Sequence, residues 1–263
     1  GYDDVTDMHS SMYTPTAEWV KFPEKYPDKP SILCEYAHAM GNSCGSLVKY
    51  TEAFEKYPKL QGGFIWDYVD QAILTKDENG KEYLGYGGDF GEGYHDGNFS
   101  GNGLMFADRT ETPKMKEVRV CYQNIAFEKA DWGSGKVTVS NRSLFTDLAE
   151  YDFRWTLYVD EAYCAGGSFS LSCAPGERAE GSLPLAQTLA AGGFGEGKEA
   201  FLNLEAVLKE KTEWADAGYA VAMGQLKTGV RETNVIAEAK KAEGRIAVSE
   251  NLATLILTGA DFE

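Results

Sequence analysis

The chain has 263 residues, 43% hydrophobic and 25% charged, with a formal net charge of -16. That length buries a sizeable core in one or two domains, and the composition is ordinary for a globular protein. The negative charge argues against nucleic acid, whose phosphates need Lys and Arg, and against an anionic membrane surface. No apolar run approaches the ~20 residues of a membrane span, so neither membrane nor nucleic acid is expected as a partner.

In chain order, YDDVTDMHSSMY opens the sequence in mid-pattern after Gly1, with no signal peptide in view. The true N-terminus is expected to be missing, which leaves a cytoplasmic location as the reading and a periplasmic one open. Ile32 to Glu35 reads as a short strand. Leu47, Tyr50, Phe54 and Tyr57 fall at i, i+3, i+7 and i+10, the spacing of an amphipathic helix that Pro58 ends. Gly63 to Trp66 is the next strand, and strand–helix–strand within this span is a parallel crossover. A long Gly- and aromatic-rich loop is expected from Trp66 to about Thr110, shaped for binding. Thr112-Pro113 reads as an N-cap with Pro at the first helical position of a helix to about Tyr122.

From about Ile125 the period changes to two. Val137 and Val139, then Phe153, Trp155, Leu157 and Val159, then Leu202, Leu204, Ala206 and Leu208 alternate with polar residues. Such strands predict an antiparallel sandwich of ~100 residues. Residues 190–197 read as a Gly-rich loop with no P-loop Lys-Ser/Thr after it. A polar linker over 231–243 and a final strand pair near 246–257 complete the chain. Five cysteines show neither a CxxC pair nor metal spacing. Cys34 reads as a small buried hydrophobe. Cys164 and Cys173 are placed to meet across a hairpin, but a reduced setting is the preferred reading.

The run ILCEYAHAMGNS, 32–43, carries the chemistry. An apolar strand ends on Glu35, where an ionised carboxylate needs a partner. The C-terminal end of a barrel strand is where (β/α)8 enzymes place catalytic groups. A buried structural salt bridge explains the same residues, and the run alone leaves both readings open.

Two further stretches join this one: QGGFIWDYVDQ, 61–71, and YGGDFG followed by FSGNGLMFADRTETPK, 86–91 and 99–114. In order and spacing the three resemble the large β-galactosidases of glycoside hydrolase family 2, closely over residues 1–120 and more loosely beyond. The resemblance implies a retaining glycosidase acting on terminal β-D-galactose through a covalent intermediate on Glu35. It implies that Tyr13 donates a hydrogen bond to Glu35, that His38 contacts sugar hydroxyls, and that Trp66 stacks on the pyranose. The Phe99 carbonyl and the Asn102 side chain would help bind Na+ near the sugar, with Asn102 also on the substrate side. Oxygen ligands suit such a hard cation. The acid/base glutamate and the ligands of Mg2+ belong to segments this sequence does not match. Asp67 and Asp70 read as loop anchors, not as the second catalytic carboxylate.

The fold class implied is α/β plus all-β: the last strands of a (β/α)8 TIM barrel over 1–123, an immunoglobulin-like sandwich over 124–229, and the linker and start of a further β domain over 230–263. The expected partners are a β-galactoside, the rest of the same full-length chain, and further copies in a homo-oligomer. As an internal piece, the chain is expected to be inactive alone. Two alternatives remain. A β-glucuronidase of the same broad family would show Asn-x-Lys, whereas Gly103 and Leu104 follow Asn102. A non-catalytic spacer or interaction module would need only the sandwich, in which no paired carboxylates or exposed aromatics are anticipated.

Overall fold

A computed structural model describes residues 5–229, 246–251, 253–259 and 262. The first part comprises β1 (His9–Met12), α1 (Thr16–Trp19), α2 (Phe22–Lys25), β2 (Ser31–Tyr36), α3 (Leu47–Lys56) and β3 (Leu60–Ile65). The strands form one parallel sheet in the order β1-β2-β3. The crossover from β2 through α3 to β3 follows the expected pattern. β1 was not anticipated: HSSM has one apolar residue, and only its pairing with β2 makes it a strand.

One face of this sheet is packed and the other is open. Trp19, Leu33, Tyr36, Leu47 and Leu60 are essentially fully buried. Tyr50 and Phe54 of α3 bring their rings to 5.0 and 5.8 Å from that of Tyr36. Met12, Phe64 and Trp66 are exposed on the sheet's other side. Cys34 is exposed as well, not buried as the sequence implied, because nothing among the described residues covers that face. No barrel closes among the described residues; the three strands are an open sheet.

The segment expected to be a continuous loop contains a hairpin, β4 (Ile73–Lys76) and β5 (Glu82–Gly85), followed by a 3-10 turn over Gly97–Ser100. Asp77 closes the hairpin turn by accepting from the N–H groups of Asn79 and Lys81. Helix α4 (Pro113–Cys121) starts at Pro113 as predicted, with Thr112 extended at the N-cap position. The Thr112 hydroxyl does not cap it, however. It is buried and donates to the Leu104 carbonyl at 2.8 Å.

The second part is a two-sheet antiparallel sandwich of β6 (Ile125–Asp131), β7 (Lys136–Asn141), β8 (Tyr151–Val159), β9 (Ala162–Phe169), β10 (Arg178–Ser182), β11 (Glu199–Leu208) and β12 (Ala220–Gly229). The sheets run β10-β7-β6 and β12-β11-β8-β9. Every apolar residue of the predicted β8 alternation is buried, as are Leu202, Leu204 and Ala206 of β11 opposite them. Full burial of each large side chain contributes about 1.5–3 kcal/mol. Helix α5 (Leu185–Ala191) was missed; it seats Leu185 and Leu189 in the same core and ends at Gly192, where the Gly-rich loop begins. All five cysteines are free thiols.

Beyond this lies the hairpin β13 (Ala247–Glu250) and β14 (Leu255–Thr258), the expected final pair. The predicted linker at 231–243 lies outside the described residues. The two cores meet through polar contacts. The Gln123 side-chain amide both donates to and accepts from the Met223 backbone at 3.0 Å, and Arg142 pairs with Glu55 at 3.2 Å. The Arg119 guanidinium lies 4.8 Å over the ring of Tyr219 and donates to the Ala220 carbonyl. Aromatics are exposed on the sandwich after all: Trp214 stands edge-on to Tyr219 at 5.5 Å, and Phe145 projects almost completely into solvent.

Candidate active site

The position of Glu35 is set by a bulge. Ser11 of β1 faces Leu33 of β2, but Met12 faces Glu35, so Cys34 is an extra residue in the ladder. Ser31, Leu33 and Tyr36 all point into the helix-packed core. Without the extra residue, alternation would put Glu35 on that buried face and Tyr36 on the open one. The bulge turns the phase and aims the carboxylate at the open side, the re-aiming role that bulges have beside active sites.

Tyr13 grips Glu35 twice. Its backbone N–H donates to the Glu35 carbonyl at 2.8 Å, and its hydroxyl donates to Glu35 Oε2 at 2.6 Å. To do so it adopts φ 53°, and Ala37, on the other side of Glu35, adopts φ 47°. Left-handed backbone at a residue with a Cβ costs about 1–3 kcal/mol and collects at functional sites. Burial, then the bond to Glu35, push the Tyr13 phenol well above its ordinary pKa. Tyr13 therefore stays protonated and remains a donor to the carboxylate.

The other expected residues follow in a chain of contacts. The His38 ring lies 5.8 Å from the ring of Tyr13 and 5.8 Å from that of Phe99, on which it stacks. His38 Nδ1 accepts from the Met40 N–H at 3.4 Å, which ties the ring to the turn that follows it. Trp66 continues from β3, donating to the Tyr36 carbonyl at 3.2 Å and accepting from the Ala39 N–H at 2.8 Å. Since β2 and β3 are parallel, Glu35 and Trp66 share the C-terminal end of the sheet. The Trp66–Asp67 peptide is cis.

The loop over 99–105 is zipped to residues 67–71. Asp67 N–H donates to the Asn102 carbonyl at 2.9 Å, and Leu104 N–H to the Asp67 carbonyl at 3.0 Å. Met105 N–H donates to the Tyr68 carbonyl and Gln71 N–H to the Ser100 carbonyl, each at 2.9 Å. Asn102 is 3% exposed, and its amide donates to the Phe99 carbonyl at 3.0 Å. Its Oδ1, and Asp67 Oδ1, are buried with no hydrogen-bond partner among the described residues. Buried acceptors left unpaired are uncommon, and each calls for a donor or a cation. Asp67 Oδ2 accepts from Gln71 at 2.6 Å and Asp70 Oδ1 from the Gly103 N–H at 2.7 Å, so both carboxylates anchor this loop. The roles of Gln71 and Thr112 in it had no sequence signal, because each acts on a backbone group distant along the chain.

A cleft of about 360 Å³ lies behind the loop, lined by Met40, Gly41, Asp70, Tyr86 and Ser100 among others. A larger one of about 660 Å³ runs along the outer side of β1, α1 and α2 and does not include Glu35. Among the described residues no group of three or more His, Cys, Asp and Glu side chains is placed to hold a metal ion.

Comparison with known families extends the geometry. Residues 2–127 match the TIM barrel domain of glycosyl hydrolases family 2, and residues 137–229 match domain 4 of β-galactosidase. A β-galactosidase of Priestia megaterium is 43% identical over 261 residues, which is 98% of this chain and 25% of that protein. One from Halalkalibacterium halodurans is 40% identical over 99% of this chain and 25% of its own length. One from Clostridium acetobutylicum is 43% identical over 84% of this chain and 24% of its own length. The chain thus spans about a quarter of the curated relatives it matches. With two consecutive domains matched in order around a paired tyrosine and glutamate, the chain belongs to glycoside hydrolase family 2.

Proposed function

We propose that this chain supplies the nucleophile-bearing part of a retaining β-galactosidase, which removes terminal non-reducing β-D-galactose from lactose-like β-galactosides. The observation that carries the reading is the 2.6 Å bond from Tyr13 to Glu35 at the C-terminal end of a parallel sheet, ringed by His38, Trp66 and Phe99. In the first step a Glu35 carboxylate oxygen attacks C1 of the galactosyl unit. The bond from C1 to the leaving oxygen breaks, and its electron pair goes to that oxygen. The leaving oxygen takes a proton from an acid/base carboxyl that lies outside these residues. Water then attacks C1, giving its proton to that same group, and Glu35 leaves as the carboxylate. Tyr13 holds Glu35 on line throughout, His38 and Asn102 meet sugar hydroxyls, and Trp66 stacks on the apolar face of the ring.

Phe99 O and Asn102 Oδ1 are hard oxygen donors on one turn, and the unpartnered, buried Oδ1 supports a Na+ ion there. Such an ion would hold a sugar hydroxyl oxygen; Mg2+ would be bound by parts of the enzyme outside these residues. The two separate cores support reading 1–123 as the C-terminal part of a (β/α)8 barrel and 124–229 as an immunoglobulin-like sandwich, with 230–263 leading into a further β domain. The open sheet then needs the remaining barrel strands, and the chain alone does not turn over substrate. Free thiols support a reducing, cytoplasmic setting for an enzyme that works as a homo-oligomer.

The test is covalent labelling of the full-length gene product by a 2-deoxy-2-fluoro-β-galactoside, read by peptide mass spectrometry. The label is expected on Glu35, and Glu35→Gln is expected to abolish it while the protein stays folded. A label on Asp67 or Asp70, with Glu35 unmodified, would overturn the assignment.

A further inference from the structure

We propose that Asp70 is a positioning residue for the reaction: its carboxylate fixes the turn that presents Phe99 and Asn102 to the sugar. The proposal rests on the reading of this site as a galactosidase site. Gly103 directly follows Asn102 and is buried, so water does not reach its N–H group. That N–H donates to Asp70 Oδ1 at 2.7 Å, while the Asp70 N–H donates to the Met105 carbonyl at 2.9 Å. Asp70 therefore holds both sides of the turn, at Gly103 through its side chain and at Met105 through its backbone.

The approach leaves no slack. A Cβ on Gly103 would stand 2.2 Å from the Asp70 nitrogen and 2.4 Å from the Met105 oxygen. Only a glycine admits this contact, and only an acceptor at Asp70 satisfies the buried donor that the contact creates. Among the described residues Asp70 makes no direct hydrogen bond to Glu35, Tyr13 or His38, so its effect on chemistry runs through Asn102. A carboxylate suits the task better than an amide, because a charge-assisted bond to a backbone N–H is roughly twice as strong as a neutral one.

Hydrogen bonds to charged groups are worth about 1.5–3 kcal/mol, roughly tenfold to a hundredfold in an equilibrium or rate. In the full-length gene product, Asp70→Ala should slow labelling of Glu35 by the fluoro-galactoside about tenfold to a hundredfold. Asp70→Asn, which keeps an acceptor oxygen, should come within about fivefold of the parent. Hydrogen exchange read by mass spectrometry gives a second measure that needs no sugar. Asp70→Ala should speed exchange in 98–106 and leave 151–159 in the sandwich unchanged.

If the parent is not labelled on Glu35 yet exchange in 98–106 responds as expected, the galactosidase reading fails and the structural anchor stands. If the parent is labelled and Asp70→Ala labels at the parent rate, the positioning role is overturned. The same holds if Asp70→Asn is as slow as Asp70→Ala, or if exchange in 98–106 does not change. Should Asp70→Ala not fold, Asp70→Ser replaces it, since its hydroxyl is too short to reach the Gly103 N–H, and the same outcomes apply.

Discussion

Asn141, at the end of β7, is the polar clip of the sandwich, and an isosteric change there has a calculable effect. It is 1% exposed. Its Nδ2 donates to the Thr146 and Cys173 carbonyls, both at 2.8 Å, and its Oδ1 accepts from the Ser143 N–H at 3.0 Å. Asn141→Ala removes three bonds of about 0.5–1.5 kcal/mol each, for a loss of about 2–4 kcal/mol. The Cys173 carbonyl keeps one donor, the Leu148 N–H at 3.1 Å, which holds the loss to that range. Asn141→Asp keeps the shape but turns an oxygen toward two carbonyls. At pH 7 it should be less stable than the alanine variant by a further ~1–2 kcal/mol, the cost of a buried, unpaired charge after relaxation.

The sign with pH follows from that burial. The introduced carboxyl would have a folded-state pKa above its unfolded ~3.9, because burial and the facing carbonyls disfavour the anion. Its favourable contribution is then complete below pH ~3.9 and is lost as pH rises through the folded pKa. The gap between the aspartate variant and the parent should therefore shrink between pH 7 and pH 5. Urea unfolding of the chain, followed by amide exchange of the β8 peptide, isolates the sandwich from the rest. With m of about 1–3 kcal/mol per molar, the alanine variant should unfold ~1–3 M earlier. An aspartate variant as stable as the alanine one at pH 7, or a gap that does not shrink on acidification, would refute the reasoning.

Four further outcomes follow from the site and its sheet. Tyr13→Phe in the full-length gene product removes the 2.6 Å bond to Glu35 and should lower kcat/KM on a chromogenic β-galactoside about tenfold to a hundredfold. The raised phenol pKa of Tyr13 gives stability that is full below the ordinary ~10 and lost as pH rises through the folded value, so Tyr13→Phe should flatten the alkaline fall of the melting temperature above pH ~10. Iodoacetamide at pH 8 should alkylate exposed Cys34 well before Cys121, whose thiol is pushed up to about 11 by burial and then by Glu117, and before buried Cys44; peptide mapping gives the order. Gly63→Ala would set a Cβ 2.9 Å from Leu33 Cβ and Tyr36 Cδ1, and should destabilise the parallel sheet by about 1–3 kcal/mol, read as faster exchange in 31–36.

Much of this protein is written in local patterns. The alternation from Phe153 to Val159 fixes which side of β8 is buried, because a strand's period of two leaves no other face for four large apolar side chains. The helical spacing from Leu47 to Phe54 fixes α3, and Pro113 fixes where α4 begins. The motif around Glu35 and the order of the three matched stretches point to the family without any coordinates. Tertiary structure alone decided the rest. HSSM becomes a strand only through β2, and LAQTLAA becomes a helix by seating two leucines in the sandwich core. Cys34 is exposed because no neighbouring segment among the described residues covers the open face of the sheet, and Glu35 joins it there because the bulge at Cys34 turns the strand's phase, which the residue pattern does not show. Thr112 looks like a cap in sequence, yet its hydroxyl serves the Leu104 carbonyl, because that acceptor is brought beside it by the fold. The sequence determined which residues are apolar and in what period; which backbone groups lie without a partner, and so which side chains must serve them, is settled only when distant segments meet.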